Sequence, residues 1–294
     1  MTQAGNAVAS SRLKAAARLS AVAALAAALA PVQAVLVRSA PRRSDVLARR
    51  FHRLSAGILG MRIRIHGRPS AERPTLYVAN HASYLDVTVL GSALEACFVA
   101  KREVGFWPVI GALARLQRTV MIERRAALSA LHLDQLRRRL ALGDNLVLFP
   151  EGTSTAGVAV QPFRSTLFAA AAALPDGRTP VVQPVWIAYR ALGRMALDAA
   201  LRGRVAWYAE MTLAPHLVDF AGLGGVAVDL GFAPPVSARD FASRKDLAAH
   251  CRAEVAAGLA GALAGPAWWL GGEAPEGAAE GGLYSAGSGA ILLK

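Results

Sequence analysis

The chain has 294 residues, enough for one large hydrophobic core or two modest ones. Its formal net charge of +13 at pH 7 indicates an anionic partner, while 54% hydrophobic residues and a mean hydropathy of +0.35 are high for a freely soluble protein. Together these properties favour an anionic membrane surface and argue against nucleic acid, because the sequence has neither zinc-ligand spacing nor an aromatic-glycine strand motif.

Residues 19–37 are almost wholly apolar, and about 20 such residues cross a bilayer as a helix. A cleaved signal peptide is the alternative, since Ala28-Leu29-Ala30 resembles a cleavage site. Residues 38–53 then carry six arginines, and positive residues favour the cytoplasmic side. The sequence therefore predicts an uncleaved membrane anchor with the main domain in the cytoplasm; whether the helix spans the membrane or only dips into it stays open.

Residues 44–60 place apolar side chains at helical spacing, with Leu47, Phe51, Leu54 and Ile58 on one stripe. Such a helix could lie in the headgroup layer with its arginines near anionic lipid. It could equally pack on the domain with its arginines in solvent.

Strand and helix patterns alternate beyond this point. The predicted strands are 61–67, 75–79, 97–100, 119–122, 145–149, 181–188, 204–209 and 226–232, and the predicted helices are 85–94, 107–116, 126–142, 165–173 and 239–263. Alternation of this kind is typical of an α/β domain with a mostly parallel or mixed sheet flanked by helices. We expect an N-terminal tail and hydrophobic membrane-anchoring helix (residues 1–40), one catalytic domain (41–265) and a disordered tail (266–294) that is rich in Gly, Ala, Ser and Glu.

His81 is the histidine that best fits a chemical role, because Asp86 follows five residues later at a strand-to-helix junction. A carboxylate on one ring nitrogen fixes the tautomer and frees the other nitrogen to take a proton. No serine or cysteine is placed as a nucleophile. The pair therefore predicts a general base acting on an external hydroxyl.

Two further groups of residues follow predicted strands. Glu151, Gly152 and Thr153 come after a buried strand, and the N–H of Gly152 or Thr153 could donate to an anion or oxyanion. Lys101 and Arg124 each end a strand and are suited to an anionic ligand, although a solvent-facing cation is the simpler interpretation of either one alone.

In combination, these residues resemble the glycerolipid acyltransferase family typified by 1-acylglycerol-3-phosphate O-acyltransferase. Four family motifs occur in order, namely N-H-x-S-x-x-D at 80–86, G-x-I-F-I-D-R at 118–124, F-P-E-G-T-R at 149–154 and a proline-bearing apolar strand at 182–185. The match to the second motif is approximate, and two departures matter: Arg118 replaces a glycine and Ser154 replaces an arginine.

The resemblance implies that His81 and Asp86 are catalytic and that Arg124, Glu151 and Gly152 bind the acceptor. We expect Thr153 and Lys101, placed at the ends of strands, to bind substrate as well. It implies acyl transfer from acyl-CoA or acyl carrier protein to a lysolipid hydroxyl, converting lysophosphatidic acid to phosphatidic acid, without metal or cofactor. The missing arginine at position 154 weakens the case for lysophosphatidic acid. O-acylation of lyso-ornithine lipid is the alternative, which the stretches Gln183-Pro184-Val185 and Ala206-Trp207-Tyr208 favour slightly. A non-catalytic basic protein that binds anionic membrane lipid is the alternative of another class.

Overall fold

The computed structural model describes residues 9–122, 130–270 and 291–293 of the chain. The described residues form one mixed sheet of ten strands with helices packed against it. The α-helices are α1 Arg12–Ser39, α2 Pro41–Ile58, α3 Leu85–Ala93, α4 Ile110–Leu116, α5 Ala130–Ala141, α6 Ala199–Arg202, α7 Leu213–Gly222 and α8 Arg244–Ala264. The strands are β1 Met61–His66, β2 Thr75–Ala79, β3 Cys97–Lys101, β4 Val120–Ile122, β5 Leu146–Leu148, β6 Val181–Leu192, β7 Met195–Ala196, β8 Val226–Phe232, β9 Val236–Ser237 and β10 Ile291–Leu293. The predicted fold class is therefore confirmed.

The sheet has a parallel part and an antiparallel part. The sheet runs β10-β1-β8-β6-β2-β5-β3-β4, and the five strands from β6 to β4 are parallel. β8 pairs antiparallel with β6 and parallel with β1, which makes the sheet mixed. All five residues of β2 are buried, as expected for a central strand covered on both faces.

The N-terminal helix α1 is 28 residues long, or about 42 Å, and is apolar enough to cross a membrane. It also packs on the domain. The Arg18 guanidinium donates to the carbonyls of Ala221 and Leu223, at the end of α7, and the Gln33 amide donates to the carbonyl of Leu116. Helix α1 is thus in contact with the domain, and the predicted domain bounds stay a prediction.

Helix α2 packs on α3, and its position relative to a membrane stays a prediction. Its buried side chains include polar residues, such as His52 and Ser55, while Leu54 of the predicted apolar stripe is exposed. Arg49 pairs with Glu95 at 3.1 Å and so is bound within the domain. Spacing alone could not show this, because the partners of the buried His52 and Asp45 side chains, Gln117 and Arg118, lie far along the chain.

Three predicted elements differ from the structure. Residues 204–209 form a turn instead of a strand, because the Trp207 N–H donates to the Ala82 carbonyl and no neighbouring strand is present to pair with this segment in the described part of the chain. Ser165–Ala171 is a 3₁₀-helix. The tail predicted to be disordered from 266 is ordered to Leu270, where Trp269 is buried, and Ile291–Leu293 pairs with β1; residues 271–290 lie outside the described residues.

A cluster of buried charges lies at the amino end of β4 and β5. The Arg118 guanidinium contacts Asp144 at 2.6 Å and Asp45 of α2 at 3.2 Å. Arg139 also contacts Asp144, at 2.6 Å. Burial raises the pKa of Asp45 to about 6, against the attraction of Arg118. This cluster ties α2 to the sheet edge opposite the carboxyl ends of the strands.

We expect Asp45→Asn to weaken the pH dependence of stability. Between pH 3.8 and about 6 the folded chain holds a proton at Asp45 that the unfolded chain has lost, so this residue's contribution to stability falls as pH rises through that window. From pH 3.8 to about 6, the free energy of unfolding of the variant should rise relative to that of wild type by about 1–3 kcal/mol. Denaturant unfolding of detergent-solubilised protein at several pH values measures this difference. Asp134→Asn, on the exposed face of α5, is the control and should not change the dependence.

Candidate active site

The loops that follow β2 and β5 meet at one edge of the sheet. The two strands are parallel neighbours, with Val78 beside Leu148, so their carboxyl ends point the same way. His81 follows the end of β2 by two residues, and Glu151 follows the end of β5 by three. Asn80 fastens the first loop, because its side-chain amide bonds both the N–H and the carbonyl of Ile187 in β6.

His81 and Asp86 form the hydrogen-bonded pair that their spacing predicts. The His81 Nδ1 lies 2.7 Å from Asp86 Oδ2, which also accepts from the N–H groups of Ala82 and Ser83. Asp86 is fully buried in the first turn of α3, where the helix dipole favours a negative charge. An ionised Asp86 makes Nδ1 the protonated nitrogen, which leaves Nε2 able to accept a proton.

Aromatic and carboxylate neighbours fix the imidazole further. The Phe149 ring stacks on it with centroids 4.1 Å apart and planes inclined by 21°. Glu151 Oε1 accepts the His81 backbone N–H at 2.8 Å, and Oε2 accepts that of Gln161 at 2.9 Å. Burial raises the pKa of Glu151, against the two N–H groups, which lower it. Both Glu151 oxygens are therefore engaged by backbone, which is a different environment from the substrate contact that we expected.

A cavity of about 550 Å³ opens beside His81, within the range of ligand-binding pockets. Its walls are mostly apolar and include Val22 of α1, Phe51 of α2 and Trp107. Leu47 and Phe51 of the predicted apolar stripe of α2 thus face this cavity, whereas Leu54 is exposed. The arrangement is suited to an extended hydrocarbon whose reacting end lies at His81.

The structure brings most of the predicted substrate-binding residues to this cavity. Lys101, Gly152 and Thr153 line it together with His81, whereas Glu151 lies behind the histidine. The Gly152 N–H donates to the Phe149 carbonyl at 3.0 Å and is thereby committed to the turn. Arg124 lies outside the described residues.

Arg164 is a cation at this site that sequence reasoning missed. Gly152 has a φ of 73°, and a methyl group added there would lie 2.7 Å from the Arg164 guanidinium carbon. The exposed Arg164 side chain therefore lies against Gly152, which itself lines the cavity. Only the fold shows this contact, because residues 155–163 separate Arg164 from the third motif.

Comparisons with known proteins identify the family of this chain. A model of the acyltransferase family matches residues 62–188, which include the His81–Asp86 pair and the third family motif at 149–154. Lyso-ornithine lipid O-acyltransferase from Rhizobium meliloti is 40% identical over 211 residues, covering 70% of this chain and 72% of that protein. The chain belongs to the acyltransferase family. The family predicted from four motifs is thus confirmed, and the chain is an acyltransferase of membrane lipid biosynthesis.

Two more relatives of this acyltransferase bear on its fold and acceptor. Lyso-ornithine lipid O-acyltransferase from Brucella abortus is 40% identical over 73% of this chain and 82% of that protein. The crystal structure of the 1-acyl-sn-glycerophosphate acyltransferase PlsC from Thermotoga maritima has a TM-score of 0.64, with 19% identity, over 86% of this chain and 96% of that one. This likeness confirms the α/β fold.

We expect Glu151→Gln to lower kcat of the acyltransferase about 10-fold or more, with little change in KM for the acceptor. The amide would turn an NH₂ group towards one of two backbone N–H donors, and losing a charge-assisted hydrogen bond there would loosen His81. Steady-state kinetics measure the split. Gln161→Ala is the control, since it keeps the backbone N–H that Glu151 binds. A raised acceptor KM with unchanged kcat would instead identify Glu151 as a substrate ligand.

Proposed function

We propose that this acyltransferase moves a fatty acyl group from an acyl thioester to the hydroxyl of lyso-ornithine lipid, with His81 as the general base. The observation that carries the reaction is the His81–Asp86 pair at 2.7 Å beside a large apolar cavity. The acceptor rests on the relatives that share most of the chain, which are named lyso-ornithine lipid O-acyltransferases.

The named alternative acceptor is lysophosphatidic acid. The 1-acyl-sn-glycerol-3-phosphate acyltransferase of Neisseria gonorrhoeae is 32% identical over 44% of this chain, a weaker and shorter match than that to the lyso-ornithine enzymes. Ser154, which replaces the arginine of the third motif, lines the cavity, so one cation that could bind phosphate is replaced by a hydroxyl. Both observations favour an acceptor headgroup with less charge than a phosphate monoester.

The reaction follows from the geometry of the dyad. His81 Nε2 takes the proton of the acceptor hydroxyl, and the oxygen attacks the thioester carbonyl carbon to form a tetrahedral intermediate. The C–S bond then breaks, the ester forms, and the leaving thiolate takes the proton back from the imidazolium. Asp86 stabilises the charged ring throughout. The Thr153 N–H is our candidate donor to the oxyanion, since that of Gly152 is committed to Phe149.

Lys101 and Arg164 would hold the acceptor headgroup. Lys101 lines the same cavity as His81, and Arg164 lies against Gly152, which also lines it. A guanidinium binds a carboxylate or phosphate through paired N–H donors. We assign to Arg164 a contact with the carboxylate of the amino-acid headgroup, and to Arg124 a second contact with the same headgroup.

The membrane arrangement follows from α1 and the arginines after it. The protein is membrane-associated, and we place the catalytic domain on the cytoplasmic side of the inner membrane, because six arginines lie at 38–53. Acyl-CoA and acyl carrier protein are the thioester donors available there. An anionic membrane surface complements the net charge of +13.

We expect His81→Ala to lower the rate of acyl transfer by about 10²–10⁴-fold, because it removes the base. The assay supplies lysolipid in detergent micelles with radiolabelled acyl-CoA or acyl carrier protein, and it follows both ester formation and release of free thiol. His250→Ala, on α8, is the matched control, since His250 packs on Phe241 and not in the cavity. Unchanged turnover in the His81 variant would overturn the mechanism.

We expect wild type to prefer lyso-ornithine lipid to lysophosphatidic acid. We also expect Arg164→Gln to raise the KM for the acceptor about 10-fold, because the variant loses one hydrogen bond between charged groups. Arg164→Lys should restore part of the affinity. Arg138→Gln, which removes an exposed arginine of α5, is the control for net charge. Preference for lysophosphatidic acid would contradict the proposed acceptor, and an unchanged KM would contradict the role of Arg164.

A further inference from the structure

Tyr189 of β6 contacts the catalytic pair through Asp86. Strand β6 stops pairing with β2 at Val185 but continues to Leu192, so it extends beyond the loop that carries His81. Alternate residues of a strand face the same side, which places Tyr189 on the side of Val185 and Ile187. Its hydroxyl lies 2.7 Å from Asp86 Oδ1.

The two oxygens of Asp86 thus have different partners. Oδ2 accepts from His81 and from two backbone N–H groups of its own loop, whereas Oδ1 accepts from Tyr189. Both Tyr189 and Asp86 are buried. Burial, followed by the charge of Asp86, raises the pKa of Tyr189 well above its ordinary value, so the hydroxyl keeps its proton and acts as a donor.

We propose that Tyr189 is a positioning residue that completes a chain of hydrogen bonds with Asp86 and His81 and sets how tightly the imidazole holds its proton. The proposal rests on the proposed role of His81 as base. A donor on Oδ1 shares the negative charge of the carboxylate and so moderates its attraction for the imidazolium. The imidazole can then return its proton to the leaving thiolate as readily as it takes one from the acceptor.

Other titratable groups around His81 remain in place when only the Tyr189 hydroxyl is removed. Glu151 bonds the His81 backbone from the loop after β5, and Lys101 of β3 lines the same cavity. Tyr84 precedes α3, and its hydroxyl lies 3.0 Å from the Nδ1 of His216 in α7. A change in the pH profile caused by this one deletion therefore reports on the contact with Asp86.

The experiment is the pH dependence of kcat/KM for acyl transfer by Tyr189→Phe. Without the hydroxyl, Asp86 attracts the imidazolium more strongly, so a higher pH is needed to free the base. We expect the acidic limb to move up by about 0.5–1 pH unit, and kcat at neutral pH to fall about 10-fold, with little change in acceptor KM. Tyr189→3-fluorotyrosine makes a stronger donor and should move the limb to lower pH.

Tyr77→Phe is the matched control. It removes a buried hydroxyl from the adjacent strand β2. This hydroxyl makes a long contact with the Ser70 carbonyl, at 3.5 Å, and does not touch His81 or Asp86. Its profile should match wild type. A Tyr189→Phe profile that superimposes on that of Tyr77→Phe overturns the proposal, and so does a 3-fluorotyrosine variant whose limb stays in place.

A double-mutant cycle separates this proposal from the proposed function. In an Asp86→Asn background, Tyr189→Phe should add little to the loss of rate, since both substitutions break the same chain of bonds. Additive losses would show that the hydroxyl acts through some other group. If His81→Ala abolishes turnover while Tyr189→Phe changes nothing, only the role of Tyr189 fails; if His81→Ala leaves turnover unchanged, the proposed mechanism itself fails.

Discussion

The fully buried carboxylate of Asp86 is the contact on which the site depends. A negative charge without access to water is costly unless hydrogen bonds compensate for it, and here four donors converge on two oxygens. The donors come from the loop after β2 and from β6, while the carboxylate itself belongs to α3. Three elements must therefore be in their final places before the imidazole is held. The geometry of the catalytic pair consequently depends on the packing of the core.

Much of the site could be predicted from the sequence, because it is encoded locally. The pairing of His81 with Asp86 spans only five residues, and both motif loops follow apolar strands whose carboxyl ends must share an edge if the sheet is parallel. The contacts that sequence could not predict depend on which strands are neighbours. β2 lies between β5 and β6, and that order alone brings Glu151 to the His81 backbone and Tyr189 to Asp86.

The two departures from the family motifs have different meanings in the folded chain. Arg118 stands where the family has glycine, and its φ of 59° is in the left-handed region that glycine adopts freely. Its ion pairs with Asp45 and Asp144 help to hold this conformation, at the edge of the sheet away from His81. Ser154, by contrast, lines the cavity itself, so this substitution bears on the ligand while Arg118 bears on the fold.

Helix α1 is both the candidate membrane segment and one wall of the cavity, since Val22 and Ala26 line it. A chain trimmed at residue 40 to ease purification would lack this wall, so the cavity would be exposed to water. It would also lose the hydrogen bonds that Arg18 makes to the end of α7. In such a fragment the cavity would be open to solvent on one side and would bind its substrate weakly. Detergents chosen for the intact chain have to cover the outer side of this helix without entering the groove behind it.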